Sequence, residues 1–215
     1  GTADALYEAI QQEKARLIAE KKIKKEKPLP PITEEDIPFD IPDTWKWVRL
    51  RAIVYDRGQT KPTEKFSYID IGSIDNMKQR LNMEEKILEP EKAPSRARKI
   101  VDYGDVIYST VRPYLHNACI IDRKSDYPQI ASTGFAAMTC CQGVLNKFLL
   151  FYLLSPSFDA YANSNQNAKG VAYPAINDQN FYRAVIPLPP LAEQQRIVAK
   201  LEELLPLAER IRSAR

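Results

Sequence analysis

Few side chains in this sequence are spaced for chemistry, and the clearest set is acidic. Asp105 stands at the head of one apolar run and Asp122-Arg123-Lys124 closes the next. That spacing imitates a carboxylate pair with a lysine that would hold Mg²⁺ and activate water. Asp105, Asp122 and Lys124 therefore define the enzymatic alternative, a metal-dependent DNA nuclease. The triplet recurs as Glu84-Glu85-Lys86, and with 28 acidic and 31 basic residues such triplets arise by chance. His116 is the lone histidine, has no nucleophile near it in sequence, and reads equally well as a loop residue beside Arg112. Cys119, Cys140 and Cys141 are odd in number and lack metal-type spacing, which suits small buried thiols in a reducing compartment. The sequence contains no Gly-x4-Gly-Lys loop, no Gly-rich cofactor loop and no Asn/Asp-Pro-Pro-aromatic tetrapeptide. No catalytic residue, metal or cofactor is assigned on these grounds.

The elements that must position any site divide the chain into four. Residues 1–26 are strong helix formers with Leu6, Ile10 and Leu17 on one stripe, an amphipathic helix ending in a lysine cluster. Residues 27–43 carry Pro28, Pro30, Pro31, Pro38 and Pro42, which remove backbone donors, so an extended linker without regular structure is expected. Residues 44–187 form the main domain. Alternation begins at Trp45, Trp47, Val48 and Leu50, and further strands are expected at 68–74, 105–110, 118–121 and 130–140, the last with a break near Gly134. Residues 145–154 are apolar nearly all round, as in a buried helix, and Asn177 is placed to cap a short helix over 176–181. The fold class is mixed α+β, a twisted sheet with packed helices.

Residues 188–215 begin a long coiled-coil-type helix. Ile197, Leu201, Leu204, Ala208 and Ile211 recur at steps of four and three, an assembly seam for another helix, although the same pattern suits a helix lying on its own domain. Pro206 inside it predicts a kink or restart. Net charge is +3 overall, and 44–186 carries 19 Lys and Arg against 14 Asp and Glu, a modest basic excess compatible with a phosphate-facing surface. The longest apolar run, 148–154, is far shorter than the ~18 residues of a membrane span, and residues 6–18 are too charged for a signal peptide. A cytoplasmic protein is expected.

Ile186-Pro-Leu-Pro-Pro-Leu-Ala-Glu-Gln-Gln-Arg-Ile-Val-Ala-Lys200 resembles the signature that closes a target-recognition domain and opens the conserved helix in specificity subunits of type I restriction-modification systems. Ile41-Pro-Asp-Thr-Trp-Lys-Trp-Val-Arg-Leu50 is similar to the usual opening of that domain, and Tyr103-Gly-Asp-Val-Ile-Tyr-Ser-Thr-Val-Arg-Pro113 to its Gly-Asp strand. The resemblance implies a non-catalytic protein that reads one part of a split double-stranded DNA target. It also implies docking to methylation (M) and restriction (R) subunits, with the helix meeting a second recognition half or a second copy. A whole subunit of this family carries a second recognition domain and helix, so the chain is expected to be a truncated or a half-length one.

DNA readout needs Arg or Lys for guanine, Asn or Gln for adenine, and small hydroxyls for either. On that chemistry the base-reading candidates are Ser109, Thr110, Arg112, Tyr114, His116 and Asn117, which follow a strand that Pro113 keeps from becoming helix. A second group is Asn165, Gln166, Asn167 and Tyr173 in an amide-rich loop beginning at Asn163. Lys61, Lys65, Lys78, Arg80, Arg96, Arg98, Lys99 and Lys169 are the phosphate candidates. Each of the base-reading candidates reads equally well as loop solvation.

Overall fold

The computed structural model describes residues 1–170 and 172–213. Helix α1 (Ala3–Ala19) starts at Thr2, whose hydroxyl accepts the Ala5 N–H at 3.2 Å. It ends where Lys21 turns left-handed (φ 58°), short of the expected boundary at 26. The lysines of 21–27 repel one another along a helix, and no apolar stripe anchors them. Ile10 and Leu17 enter the core as expected, and Lys14 joins them on the buried face. Its ammonium donates to the carbonyls of Arg51 and Val54 and to Glu26, the first two being carbonyls at the end of helix α2 (Leu50–Ile53).

Residues 27–43 hold no helix or strand beyond one 3₁₀ turn, Glu34–Asp36. Arg49 ties this segment to the body. Its guanidinium donates to Pro30 O, Pro31 O and Asp36 Oδ2 at 3.2, 3.0 and 2.8 Å, and to Arg183 O.

Among the described residues fourteen strands follow in chain order: β1 (Lys46–Arg49), β2 (Val54–Tyr55), β3 (Phe66–Ile69), β4 (Ile74–Asp75), β5 (Arg80–Leu81), β6 (Ile87–Leu88), β7 (Ala97–Val101), β8 (Val106–Ser109), β9 (Ala118–Ile120), β10 (Gln129–Ser132), β11 (Phe135–Cys140), β12 (Ala168–Lys169), β13 (Ala175–Ile176) and β14 (Val185–Leu188). One four-stranded sheet has the order β2-β11-β8-β9 and is antiparallel throughout. The other has the order β6-β3-β10-β7, with β3 and β10 parallel. The chain crosses between them at Thr133 and Gly134, the break expected near Gly134.

The antiparallel sheet is buried on both faces, and its period of two sorts side chains into two cores. Val106, Tyr108, Ala118, Ala136 and Met138 face a helical layer that includes Ile10, Leu149, Leu153, Phe158 and Phe181. Ile107, Cys119, Phe135 and Ala137 face the second sheet, meeting Ile69, Val101 and Ala131. The helical layer contains α3 (Asn146–Leu153), α4 (Pro156–Ala162) and α5 (Asp178–Arg183). Asn177 caps α5 as expected, its side chain accepting the Asn180 N–H at 2.8 Å. The architecture is therefore α+β in layers: helices, sheet, sheet.

β1 and β14 pair antiparallel and bring the two ends of the domain together. Helix α6 (Leu191–Ser213) leaves from that joint. Gln194, fully buried, donates to Gly143 O and Pro189 O and accepts Leu145 N–H, and Val198 is buried beside α3. The expected seam is thus split. Ile197 and Leu201 are half-buried, whereas Leu204, Ala208 and Ile211 are exposed on the part of the helix beyond residue 201, whose Ala208 borders a cavity shared with the body. Of the kink or restart expected at Pro206, no restart occurs, for the helix is continuous across it. One missing N–H in a solvated helix is tolerable because water satisfies the carbonyl it would have bonded.

Candidate nucleic-acid interface

The two loops singled out in sequence, more than forty residues apart, are brought together. Val111 and Ala175 form an isolated antiparallel bridge, Ile176 N–H donates to Thr110 O at 2.9 Å, and Arg112 N–H donates to Pro174 O at 2.7 Å. The Arg112 guanidinium lies 4.2 Å from the Tyr173 ring centroid, a cation–π contact, and its Nε is buried without a hydrogen-bond partner. Arg112 is half-buried and Tyr173 exposed. Arg112 and His116, both left-handed at φ 49° and 53°, flank the 3₁₀ turn Pro113–Leu115. His116 Nε2 lies 2.6 Å from Asp159 Oδ1, which also accepts Asn163 Nδ2 at 2.9 Å.

A ladder of backbone bonds extends this site. Thr110 N–H donates to Gly134 O at 3.0 Å, Thr133 N–H to Arg96 O at 2.9 Å, and Thr60 N–H to Arg98 O at 2.8 Å. These bonds link the segments that carry Lys61, Arg96 and Arg98 to the one that carries Arg112. On the other side Asn76 Nδ2 donates to Leu115 O at 3.0 Å, bringing the β4–β5 turn with exposed Lys78 and Arg80 against the same site. Thr133, Thr60 and Asn76 escape sequence reasoning. The Ser-Thr-Gly turn at 132–134 was readable as a break between strands, but nothing in it announced a neighbour of Arg112.

Several candidates are committed inside the fold. Ser109 Oγ donates to Val111 O, Thr110 Oγ1 to Gly134 O and Asn167 Nδ2 to Tyr161 O, all three residues being buried. Asn117 is buried and its carbonyl accepts Ser109 N–H. Lys99 donates to Phe135 O, and Lys65 lies near Glu89 and over Tyr127. Lys169 is exposed and donates to Asn165 O, while Asn165 and Gln166 are exposed at the rim. Arg112, Tyr114, Tyr173, Asn165 and Gln166 are the base-reading candidates with solvent-facing surface and no buried commitment of the whole side chain.

The acidic set is not a metal site. Asp105 is buried, and its carboxylate accepts Arg57 Nε and Nη2 at 2.8 and 3.1 Å, Thr139 Oγ1 at 2.8 Å and Asp102 N–H at 2.9 Å. That hydrogen bonding, ahead of the opposing effect of burial, raises the Arg57 pKa above its ordinary value. Asp122 and Lys124 are exposed on the loop beyond β9, and no group of His, Cys, Asp and Glu among the described residues could hold a metal ion. Burial lifts the thiols instead, Cys119 and Cys141 to about 12, so neither is a nucleophile at neutral pH.

Residues 42–212 match the model of the type I restriction modification DNA specificity domain. The specificity subunit of the type I restriction enzyme EcoAI from Escherichia coli is 31% identical over 218 residues, covering 98% of this chain and 36% of that protein. The EcoEI specificity subunit, also from Escherichia coli, is 24% identical, with 98% and 37% covered. Among solved structures, the HsdS subunit from Thermoanaerobacter tengcongensis superposes with a TM-score of 0.71 at 35% identity, over 82% of this chain and 46% of that one. The chain spans little more than a third of the length of these curated relatives. On the family match across most of its length, the chain belongs to the type I restriction modification DNA specificity domain family.

Proposed function

We propose that this chain binds a specific sequence of double-stranded DNA, catalyses nothing itself, and reads one half of a bipartite target for the M and R subunits of a cytoplasmic type I restriction-modification complex. The observation that carries the reading is the pairing of residues 110–112 with 173–176 around Arg112, to which hydrogen bonds link the segments that carry Lys61, Arg96 and Arg98 and the turn that carries Lys78 and Arg80. Arg112 and the rim amides Asn165 and Gln166 are the base readers, and the flanking cations are the phosphate contacts. The exposed Leu204, Ala208 and Ile211 of α6 are the assembly surface toward a second recognition half or a second copy.

The test is selection from a random duplex pool followed by titration of the recovered duplex against salt. If five cations meet phosphates, log K falls against log salt with a slope of about −4.5, roughly 500-fold between 50 and 200 mM. A flat salt response, or a pool that yields no preferred sequence, refutes the reading.

A further inference from the structure

Two large, mainly apolar side chains stand exposed on the turn that follows Arg112, where phosphate contacts have no use for them. Tyr114 is 49% exposed and Leu115 38% exposed, consecutively, on the Pro113–Leu115 turn. Single exposed apolar residues are ordinary. This pair differs in how firmly its backbone is held. Arg112 and His116 at the two ends are both left-handed, which non-glycine residues seldom adopt. Arg112 N–H is bonded to Pro174 O and its guanidinium to the Tyr173 face, Pro113 is buried, Leu115 O is bonded to Asn76, and His116 is bonded to Asp159. Three separate chain segments thus pin a turn of three residues. The turn is not free to fold back and bury its apolar tip, and it loses little conformational freedom when something else buries it.

We propose that Tyr114 and Leu115 are a wedge that enters the base stack of the bound duplex at one step and unstacks it, an inference that rests on the DNA-binding reading above. The flanking charge fits this occupant. Asn76, bonded to Leu115 O, sits on the turn that carries exposed Lys78, and backbone bonds link the Arg112 segment to those that carry exposed Lys61 and Arg96, so cations are available to hold backbone near the step that the tip opens. An aliphatic side chain opens a base step by filling it, and an aromatic ring stacks on whichever base it exposes. The wedge therefore acts through the deformability of the step, favouring flexible pyrimidine–purine steps, and adds specificity at a position where no polar group touches a base.

The probe is the duplex recovered by the selection above, with 2-aminopurine substituted for adenine at successive positions and a donor–acceptor dye pair at its ends. The wild-type chain should raise 2-aminopurine fluorescence several-fold at one or two adjacent positions and shorten the end-to-end distance. Tyr114→Ser with Leu115→Ser should return both signals to those of free duplex, with salt-dependent binding weakened about tenfold and not abolished. Tyr114→Phe should keep the signals, since the ring and not the hydroxyl is needed. Both side chains lie outside the core, and circular dichroism checks the fold; if the double exchange disturbs it, Tyr114→Ser alone carries the same expectation. Specific, salt-dependent binding with no unstacking at any position overturns the wedge and leaves the DNA-binding reading standing. Failure of the wild-type chain to select any duplex overturns both. A double variant that unstacks DNA normally but no longer binds a methylation subunit makes the tip a protein contact and overturns the wedge.

Discussion

Replacing Asp105 with Ala should destabilise the domain rather than abolish a catalytic activity. Asp105 is 2% exposed and accepts from four donors: two guanidinium N–H groups of Arg57, the Thr139 hydroxyl and the Asp102 N–H. Removing one partner of a buried ion pair typically costs about 3–5 kcal/mol, because the remaining charge is left uncompensated. Arg57 keeps 32% of its side chain in solvent, so water recovers part of that, which places the pair at the lower bound. The Thr139 and Asp102 donors add about 1 kcal/mol between them once water enters the gap. The sum is about 3–4 kcal/mol, and at ~2–4 °C per kcal/mol for a domain of this size the melting temperature falls by roughly 6–16 °C. Urea unfolding should show a lower midpoint at unchanged slope. Arg57→Met added to Asp105→Ala should recover part of the loss, since no charge then remains unpaired. A nuclease carboxylate behaves in the opposite way, losing magnesium-dependent cleavage with stability kept. A melting temperature unchanged within about 2 °C would refute the structural role.

Other expectations follow from single contacts. Arg112→Ala should relax preference at one base position at a cost of about 1–3 kcal/mol, read by binding to single-base variants of the selected duplex; a uniform loss on all sequences makes Arg112 a phosphate contact. Burial works against ionisation of Asp36, but the Thr33 N–H and the Arg49 guanidinium outweigh it and hold its pKa below the ordinary value. The stability Asp36 adds is therefore complete above about pH 4 and lost as pH falls through its lower folded value, and Asp36→Asn should flatten the acid limb and release 27–43 to protease at neutral pH. Leu204→Glu with Ile211→Glu, on the exposed part of α6, should reduce any self-association by light scattering without a change in melting temperature; Leu201, half-buried on the body, is a poorer probe than the seam pattern suggested.

The strands that the sequence announced are those with enough residues to show a period. Residues 106–109 and 135–140 read plainly because alternate side chains enter two different apolar cores, whereas β4, β5 and β6 are two residues long and hold no period to read. β14 was hidden by Pro187, which is tolerable because each strand of a two-stranded sheet has a free edge toward which a missing N–H can turn. Lys14 escaped notice since its burial depends on the carbonyls of Arg51 and Val54, forty residues away. Arg112 was legible as a residue type, but its stacking on Tyr173 was not.

The segments that resembled a family and the residues that face solvent at the site are largely different sets, and the fold explains why. Trp45, in the opening segment, donates its indole N–H to Glu193 in the closing one, and β1 lies against β14 between them. Gln194 ties the closing segment to Gly143 and Leu145, while Gly104, left-handed at φ 90°, makes the turn that lets Asp105 reach Arg57, with Gly104 O accepting from Asn146. Each signature is a joint whose geometry admits few residue types: an amide with three partners, a carboxylate with four donors, a glycine with positive φ. The exposed tip residues Tyr114, Asn165, Gln166 and Tyr173 have no such internal obligations. Substitution there leaves the core intact, so a domain of this kind can change what its loops contact while its joints stay the same. Family membership was therefore readable from the joints, and the contacted sequence has to be measured at the loops.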